Sequence, residues 1–271
     1  KSKCIITIHD LSIFLYSNEH PLSRVLINKF LFRKTIANST ILITDSNNTK
    51  NDLVTHLKID PSKIKVIYLA ADKNYKPLPK NIIEKAKQKY NLKDYILYVG
   101  TLEPRKNIPN LLRAYSQIKD RLNYKLVITG KKGWKYQEIF ETINKLKLEN
   151  DVIFTGYVPE EDLPALYNGA SLFVYPSFYE GFGLPPLEAM QCGCPVITSN
   201  TSSLPEVVGK AGIMVDPNDV DELAKQMERV LTDEKLRKSM IKKGLKQAKK
   251  FSWEKCARET LKVYEEVMKE K

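Results

Sequence analysis

Residues 175–195 read YPSFYEGFGLPPLEAMQCGCP, and this stretch decides the fold. The short apolar run before it, Leu172-Phe173-Val174, reads as a buried strand bounded by turn signals. A loop with Gly181 and Gly183 follows, and then Pro185-Pro186. Proline fits the first turn of a helix, where its missing N–H is not needed, so a helix is expected from Pro185 or Pro186 to about Gln191. Gly193 ends the helix, and Pro195-Val196-Ile197 starts the next strand. In this strand–loop–helix–strand unit the loop aims backbone N–H groups and the positive end of a helix at one spot, which suits phosphate. Two carboxylates flank that spot, Glu180 before the helix and Glu188 in its first turn. Carboxylates repel phosphate but accept hydrogen bonds from sugar hydroxyls, so the combination suits a sugar joined to a nucleotide. On residue chemistry alone a plainer reading stays open, with Glu188 complementing the helix dipole and Glu180 a solvated loop acid.

The gapless run EGFGLPPLEAMQCGCPVI, with seven residues between Glu180 and Glu188, resembles the signature of retaining glycosyltransferases of family four, the glycosyl transferases group 1. That resemblance implies the GT-B fold, in which two Rossmann-like doubly wound parallel sheets face each other across a cleft. It also implies that Glu180 contacts the transferred sugar and Glu188 the nucleotide ribose, with Gly181, Phe182, Gly183 and Leu184 forming the donor loop.

The 271 residues allow one large or two modest domains, and 42% hydrophobic with 28% charged residues describes a globular rather than a disordered chain. No apolar run approaches the roughly 18 residues of a membrane-spanning helix. Cys4, Cys192, Cys194 and Cys256 match no zinc spacing, so reduced thiols and a cytoplasmic location are expected. A net charge of +12 favours anionic partners: nucleic acid, anionic membrane or a phosphorylated ligand. Much of the excess is lysine beside glutamate, as on solvated helix faces, and no aromatic-interleaved basic stripe of the nucleic-acid type is present, so no nucleic-acid partner is expected.

Along the chain, strands are expected at 4–8, 41–44 and 64–67, with a helix over Pro21–Asn38 and another, capped by Ser46 or Asn47, running to about Leu57. The proline-bearing stretch 68–81 reads as an interdomain linker. A second alternating series follows. Its strands are expected at 95–99, 124–129, 152–154, 172–174, 195–198 and 212–215, and its helices at about 82–90, 107–120, 134–148, 160–168, 185–191 and 218–231. The chain then stays helical to Lys271, with Ser252 able to cap the last helix. The expected domains are a partial amino-terminal, acceptor-side domain (1–75), a donor-binding domain (76–251) and a carboxy-terminal helix (252–271) packing back on the first. Three strands are few for a Rossmann-like domain and the chain lacks an initiator Met, so a truncated or incompletely represented enzyme is expected.

The segment Gly100-Thr-Leu-Glu-Pro-Arg-Lys-Asn107 follows a strand and precedes a helix, which places it at a ligand-facing sheet edge. It resembles the family's phosphate-binding segment. Lys106 matches the family's lysine, while Thr101 stands where an arginine often does, with Arg105 as a compensating cation. His9, in TIHDL, resembles the family histidine lining the acceptor side; His20 and His56 are expected on the surface. Gly130, Lys131 and Tyr157, after the strands YKLVIT and VIFTG, resemble segments bordering the nucleotide. The run Thr201–Glu206 resembles the loop before a short helix near the phosphates, although Ser202 and Ser203 could simply cap that helix. No metal-ligand spacing and no Asp-x-Asp occur, so no metal is expected.

These readings converge on retaining, metal-independent transfer from a UDP-, GDP- or ADP-sugar to an acceptor glycan or lipid-linked sugar, by a hexosyltransferase without a separate cofactor. The expected residues at the reacting centre are His9, Arg105, Lys106 and Glu180. The alternative is a non-catalytic nucleotide-sugar-binding or membrane-surface protein that keeps the fold. The stretch Arg24–Lys34 mixes apolar bulk with Arg24, Lys29, Arg33 and Lys34, which adds an anionic membrane surface as a partner, at the inner face of the cell membrane.

Overall fold

The computed structural model describes residues 3–17, 32, 34–36 and 38–269. The first sheet is parallel, in the order β1 (Ile5–Ile8), β2 (Ile41–Thr44), β3 (Ile64–Val66). A four-residue helix, α1 (Ser12–Leu15), follows β1 and escaped sequence reading, being too short to show a helical period. Helix α2 (Asn47–Leu57) follows β2; the Ser46 side chain accepts from the Thr49 N–H and starts it, and Lys58 in the left-handed region ends it. Most of the helix expected over Pro21–Asn38, and with it the basic stretch Arg24–Lys34 apart from Phe32 and Lys34, lies outside the described residues.

The second sheet has six parallel strands in the order β6-β5-β4-β7-β8-β9: β4 (Tyr95–Val99), β5 (Lys125–Thr129), β6 (Val152–Gly156), β7 (Leu172–Tyr175), β8 (Val196–Ser199) and β9 (Ile213–Val215). Its central strands are continuous apolar runs because helices cover both faces, and Tyr95–Tyr98, Leu126–Ile128 and Leu172–Val174 are fully enclosed. Each such large side chain contributes about 1.5–3 kcal/mol through burial.

The helices between them are α3 (Lys80–Lys89), α4 (Ile108–Ile118), α5 (Gln137–Leu146), α6 (Leu163–Gly169), α7 (Leu184–Gln191), α8 (Leu204–Val208), α9 (Val220–Thr232) and α10 (Glu234–Ala248). Two start three residues later than their sequence pattern implies, each for a local reason. Lys135 has φ +51°, which breaks any helix begun at 134, so α5 starts at Gln137. Helix α6 waits until Leu163, where Pro164 occupies its first turn.

Residues 68–79 contain no helix or strand and join the two sheets. The last helix, α11 (Trp253–Lys269), starts where the Ser252 hydroxyl accepts from the Lys255 N–H. It crosses back to the first sheet, where Val263 is buried against Ile43 and Ile67 and the Lys3 ammonium donates to the Val267 carbonyl at 2.6 Å. All four cysteines are free, with Cys192 and Cys194 buried. Among the described residues no helix is long and apolar enough to cross a membrane.

Candidate active site

The strand order of the second sheet reverses between β4 and β7, which opens a crevice at their carboxyl ends. The two loops leaving those ends are tied together. The Asn107 amide donates to the carbonyls of Pro176 (3.0 Å) and Pro217 (2.7 Å), and the Phe178 N–H donates to the Arg105 carbonyl (2.9 Å). Pro104–Lys106 form a single tight turn within the first loop. The result is a buried ion cluster. Lys106 Nζ lies 2.7 Å from Glu180 Oε1, and Arg105 bonds Glu180 Oε2 at 3.2 Å and Glu103 Oε1 at 2.7 Å. Lys106 also donates to the Tyr175 hydroxyl at 2.7 Å. An ammonium carries three donors. Among the described residues two are used, which leaves one for a ligand oxygen.

Burial pushes the Glu180 carboxyl up, but Lys106 and then Arg105 outweigh it and hold the group below its ordinary range, as an anion. Its backbone is pinned as well. Glu180 N–H donates to the Ser202 hydroxyl (2.9 Å), and the Ser203 hydroxyl donates to the carbonyls of Glu180 (2.9 Å) and Phe182 (2.6 Å). Ser203 precedes α8 but makes no side-chain cap there, so these two serines brace the glycine loop instead of capping a helix. Gly183, at φ +116°, turns the loop into α7 in a conformation that side chains rarely adopt.

The first sheet faces this cluster with the carboxyl ends of β1 and β2. A Cβ on Gly181 would fall on the His9 carbonyl oxygen, so only glycine permits this approach of the two sheets. His9 Nδ1 lies 2.6 Å from Asp45 Oδ2. The hydrogen bond to Asp45 raises the His9 pKa, with burial opposing and the charges of Asp45 and Asp10 adding. Further contacts join the halves. The Tyr179 hydroxyl donates to Asp52 (2.8 Å) and accepts from the Leu11 N–H (3.2 Å), and the Glu206 carboxylate accepts from the N–H groups of Asn47 (2.9 Å) and Asn48 (2.7 Å) at the start of α2.

A cavity of about 490 Å³ lies between the sheets. Of the residues singled out from sequence it brings together His9, Gly100, Thr101, Lys106, Glu180, Gly181, Phe182, Gly183 and Leu184. Arg105 is outside its lining and meets it through Glu180. Glu188 lines an adjoining hollow of about 380 Å³ with Glu160, Tyr75 and Trp253, and Leu184 borders both. There burial pushes the Glu188 carboxyl up to about 7, against the Tyr167 hydroxyl that donates to it at 2.9 Å. Gly130, Lys131 and Tyr157 lie outside the cavity lining at the neighbouring strand ends, with Lys131 Nζ 4.5 Å from the centre of the exposed Tyr157 ring. His56 is exposed, as expected, and His20 lies outside the described residues. Sequence reading missed Asp45 and Tyr179. Asp45 carried one available signal, its position directly after β2 at the same sheet edge as His9.

The family model for glycosyl transferases group 1 matches residues 79–247. The chain is 40% identical to O-antigen chain mannosyltransferase B of Escherichia coli over 266 residues, 97% of this chain and 70% of that protein. Among solved structures it resembles sucrose-phosphate synthase from Thermosynechococcus elongatus, with a TM-score of 0.82, 26% identity, and coverage of 97% of this chain and 67% of that one. An Anabaena protein solved in complex with UDP-glucose gives a TM-score of 0.82 at 22% identity, over 98% of this chain and 72% of that one, a likeness of fold.

Proposed function

The chain belongs to the glycosyl transferases group 1 and is a GT-B glycosyltransferase; on that premise we propose that it moves a hexose, with retention and without a metal, from a nucleotide diphosphate sugar to an acceptor hydroxyl. Mannose is the sugar favoured by the 40% identity to an O-antigen chain mannosyltransferase, and a lipid-linked or growing glycan is the matching acceptor. The observation that carries the reading is the buried Glu180, held anionic by Lys106 and Arg105 beside the start of α7 and opposite His9.

The chemistry follows from those groups. The bond between the anomeric carbon and the leaving phosphate oxygen breaks, and its electron pair stays on that oxygen. The third N–H of Lys106 and the N-terminus of α7 stabilise the charge that develops there. The acceptor hydroxyl attacks from the same face, forms the new bond to the anomeric carbon, and passes its proton to the departing phosphate oxygen. Glu180 is already engaged by two cations, which suits it to orient sugar hydroxyls rather than to attack carbon.

Incubation of the chain with GDP-mannose, UDP-glucose, UDP-N-acetylglucosamine and ADP-glucose, with product anomers read by NMR, tests this. A mannosyl product with the donor's anomeric configuration, formed equally in EDTA, is expected. An inverted product would overturn the retaining mechanism, and activity lost in EDTA and restored by Mg²⁺ or Mn²⁺ would overturn metal independence.

A further inference from the structure

The histidine on the first sheet is not an isolated side chain. Its ring is 73% exposed, while the carboxylate on its Nδ1 is only 3% exposed. Asp45 Oδ2 is 2.6 Å from that nitrogen, and Asp45 Oδ1 is buried with no hydrogen-bond partner among the described residues. A buried carboxylate is costly unless paired, and among the described residues His9 is the only group that bonds this one. The other ring nitrogen, Nε2, has no protein partner among the described residues, and both His9 and Asp45 line the cavity that holds Glu180 and Lys106.

We propose that Asp45 is a positioning residue: it holds the His9 ring by Nδ1–H and keeps Nε2 available to an oxygen of the ligand in the donor cavity. This deepens the glycosyltransferase reading, and its importance for transfer rests on that reading. Which ring nitrogen carries the proton is set by the bond the other one makes, and a carboxylate on Nδ1 fixes both the ring's orientation and its proton. A carboxylate there also stabilises the doubly protonated ring, so Nε2 can donate to a hydroxyl or phosphate oxygen over a wider pH range. The groups facing this pair are few. Asp10 adds negative charge from the same strand end, Thr49 on α2 donates its hydroxyl to the His9 carbonyl, Cys256 on α11 feels the Asp45 charge, and Glu180 and Lys106 line the far side of the cavity.

The chain has three histidines, so their ring C–H signals can be followed individually by NMR across pH, with His20 and His56 as internal references. In the wild type the His9 midpoint is expected above the ordinary histidine value. Asp45→Asn keeps the shape and removes the charge, and should lower the His9 midpoint by roughly half a pH unit or more with His56 unmoved. The same variant should reduce kcat/KM for transfer roughly tenfold or more, with its pH profile displaced in the same direction, and Asp45→Glu should restore part of both. A wild-type midpoint at or below the ordinary value would overturn the pairing even if no variant folded. An unchanged midpoint in Asp45→Asn would do the same. If the midpoint falls and transfer by Asp45→Asn equals wild type, Asp45 is structural and the positioning role fails. If the midpoint falls while the wild type transfers no sugar from any donor, the pair stands and the glycosyltransferase reading is the part that fails.

Discussion

The two edges that face each other across the cavity are built differently. On the second sheet, Glu180 and Lys106 are each about 10% exposed, and their loops are fastened by Asn107, Ser202 and Ser203. On the first sheet, the pair is one exposed ring and one buried carboxylate, one of whose oxygens has no partner among the described residues. The edge of the second sheet is thus a preformed, internally neutralised block, and the opposite edge is a sparse surface brought close by glycine and a few bridges. Damage to the first should cost stability and function together. Damage to the second should cost transfer more than stability.

The largest effect is expected from Lys106→Ala. It leaves Glu180 buried with Arg105 as its one cation among the described residues, and removing one member of a buried pair costs about 3–5 kcal/mol. Urea denaturation should show that loss together with a collapse of transfer. A stability change near zero would show the block to be less interdependent than its geometry implies.

Glu188, on α7 beside the second sheet, should act chiefly through burial. Its carboxyl is raised from 4.5 to about 7 by burial first, with Glu160 adding and Tyr167 opposing. The folded state therefore binds more protons than the unfolded chain between those values. The associated stability is fully present below 4.5 and is lost as pH rises through 7. Glu188→Gln should be more stable than wild type at pH 8, by up to about 3 kcal/mol, and nearly equal to it near pH 4. Equal stability at both pH values would show that the carboxyl titrates normally.

Smaller effects are expected between the sheets. Gly181→Ala places a methyl group on the His9 carbonyl, and overpacking of this kind costs about 1–3 kcal/mol. Its transfer rate should fall further than its stability, because the sheets must separate at the cavity. Tyr179→Phe removes the hydroxyl that links Asp52 and Leu11, for about 1 kcal/mol. Thermal unfolding of both variants checks the order; a Tyr179→Phe loss larger than that of Gly181→Ala would reverse the account of what sets the spacing.

Local chemistry made much of this legible. The apolar runs placed the strands of both sheets, Ser46 and Ser252 start their helices as their residue type implies, and the glycine–proline loop before α7 marks its own turn. What escaped depends on contacts between residues far apart in the chain. Ser202 and Ser203 look like ordinary cap residues, and only the return of the chain beside Glu180, more than 20 positions away, gives them their bracing role. Glu206 meets the start of α2 across 159 positions, and Tyr179 meets Asp52 across 127. Asp45 follows β2 directly and precedes the Ser46 cap, and only the in-register pairing of β1 and β2 brings it to His9. Lys106 and Glu180 were visible separately; that they neutralise each other was not, because it depends on the reversal of strand order between β4 and β7.

On the glycosyltransferase reading, the cavity between the sheets receives a nucleotide diphosphate sugar, and Glu180 engages its sugar. Calorimetric titration of GDP-mannose, and in parallel UDP-glucose, UDP-N-acetylglucosamine and ADP-glucose, into the wild type and Glu180→Gln tests it most directly. One-to-one binding of at least one donor is expected, weakened in Glu180→Gln by roughly tenfold or more relative to the matching free nucleoside diphosphate. Failure of all four donors to bind the wild type, or equal donor affinity in Glu180→Gln, would contradict it.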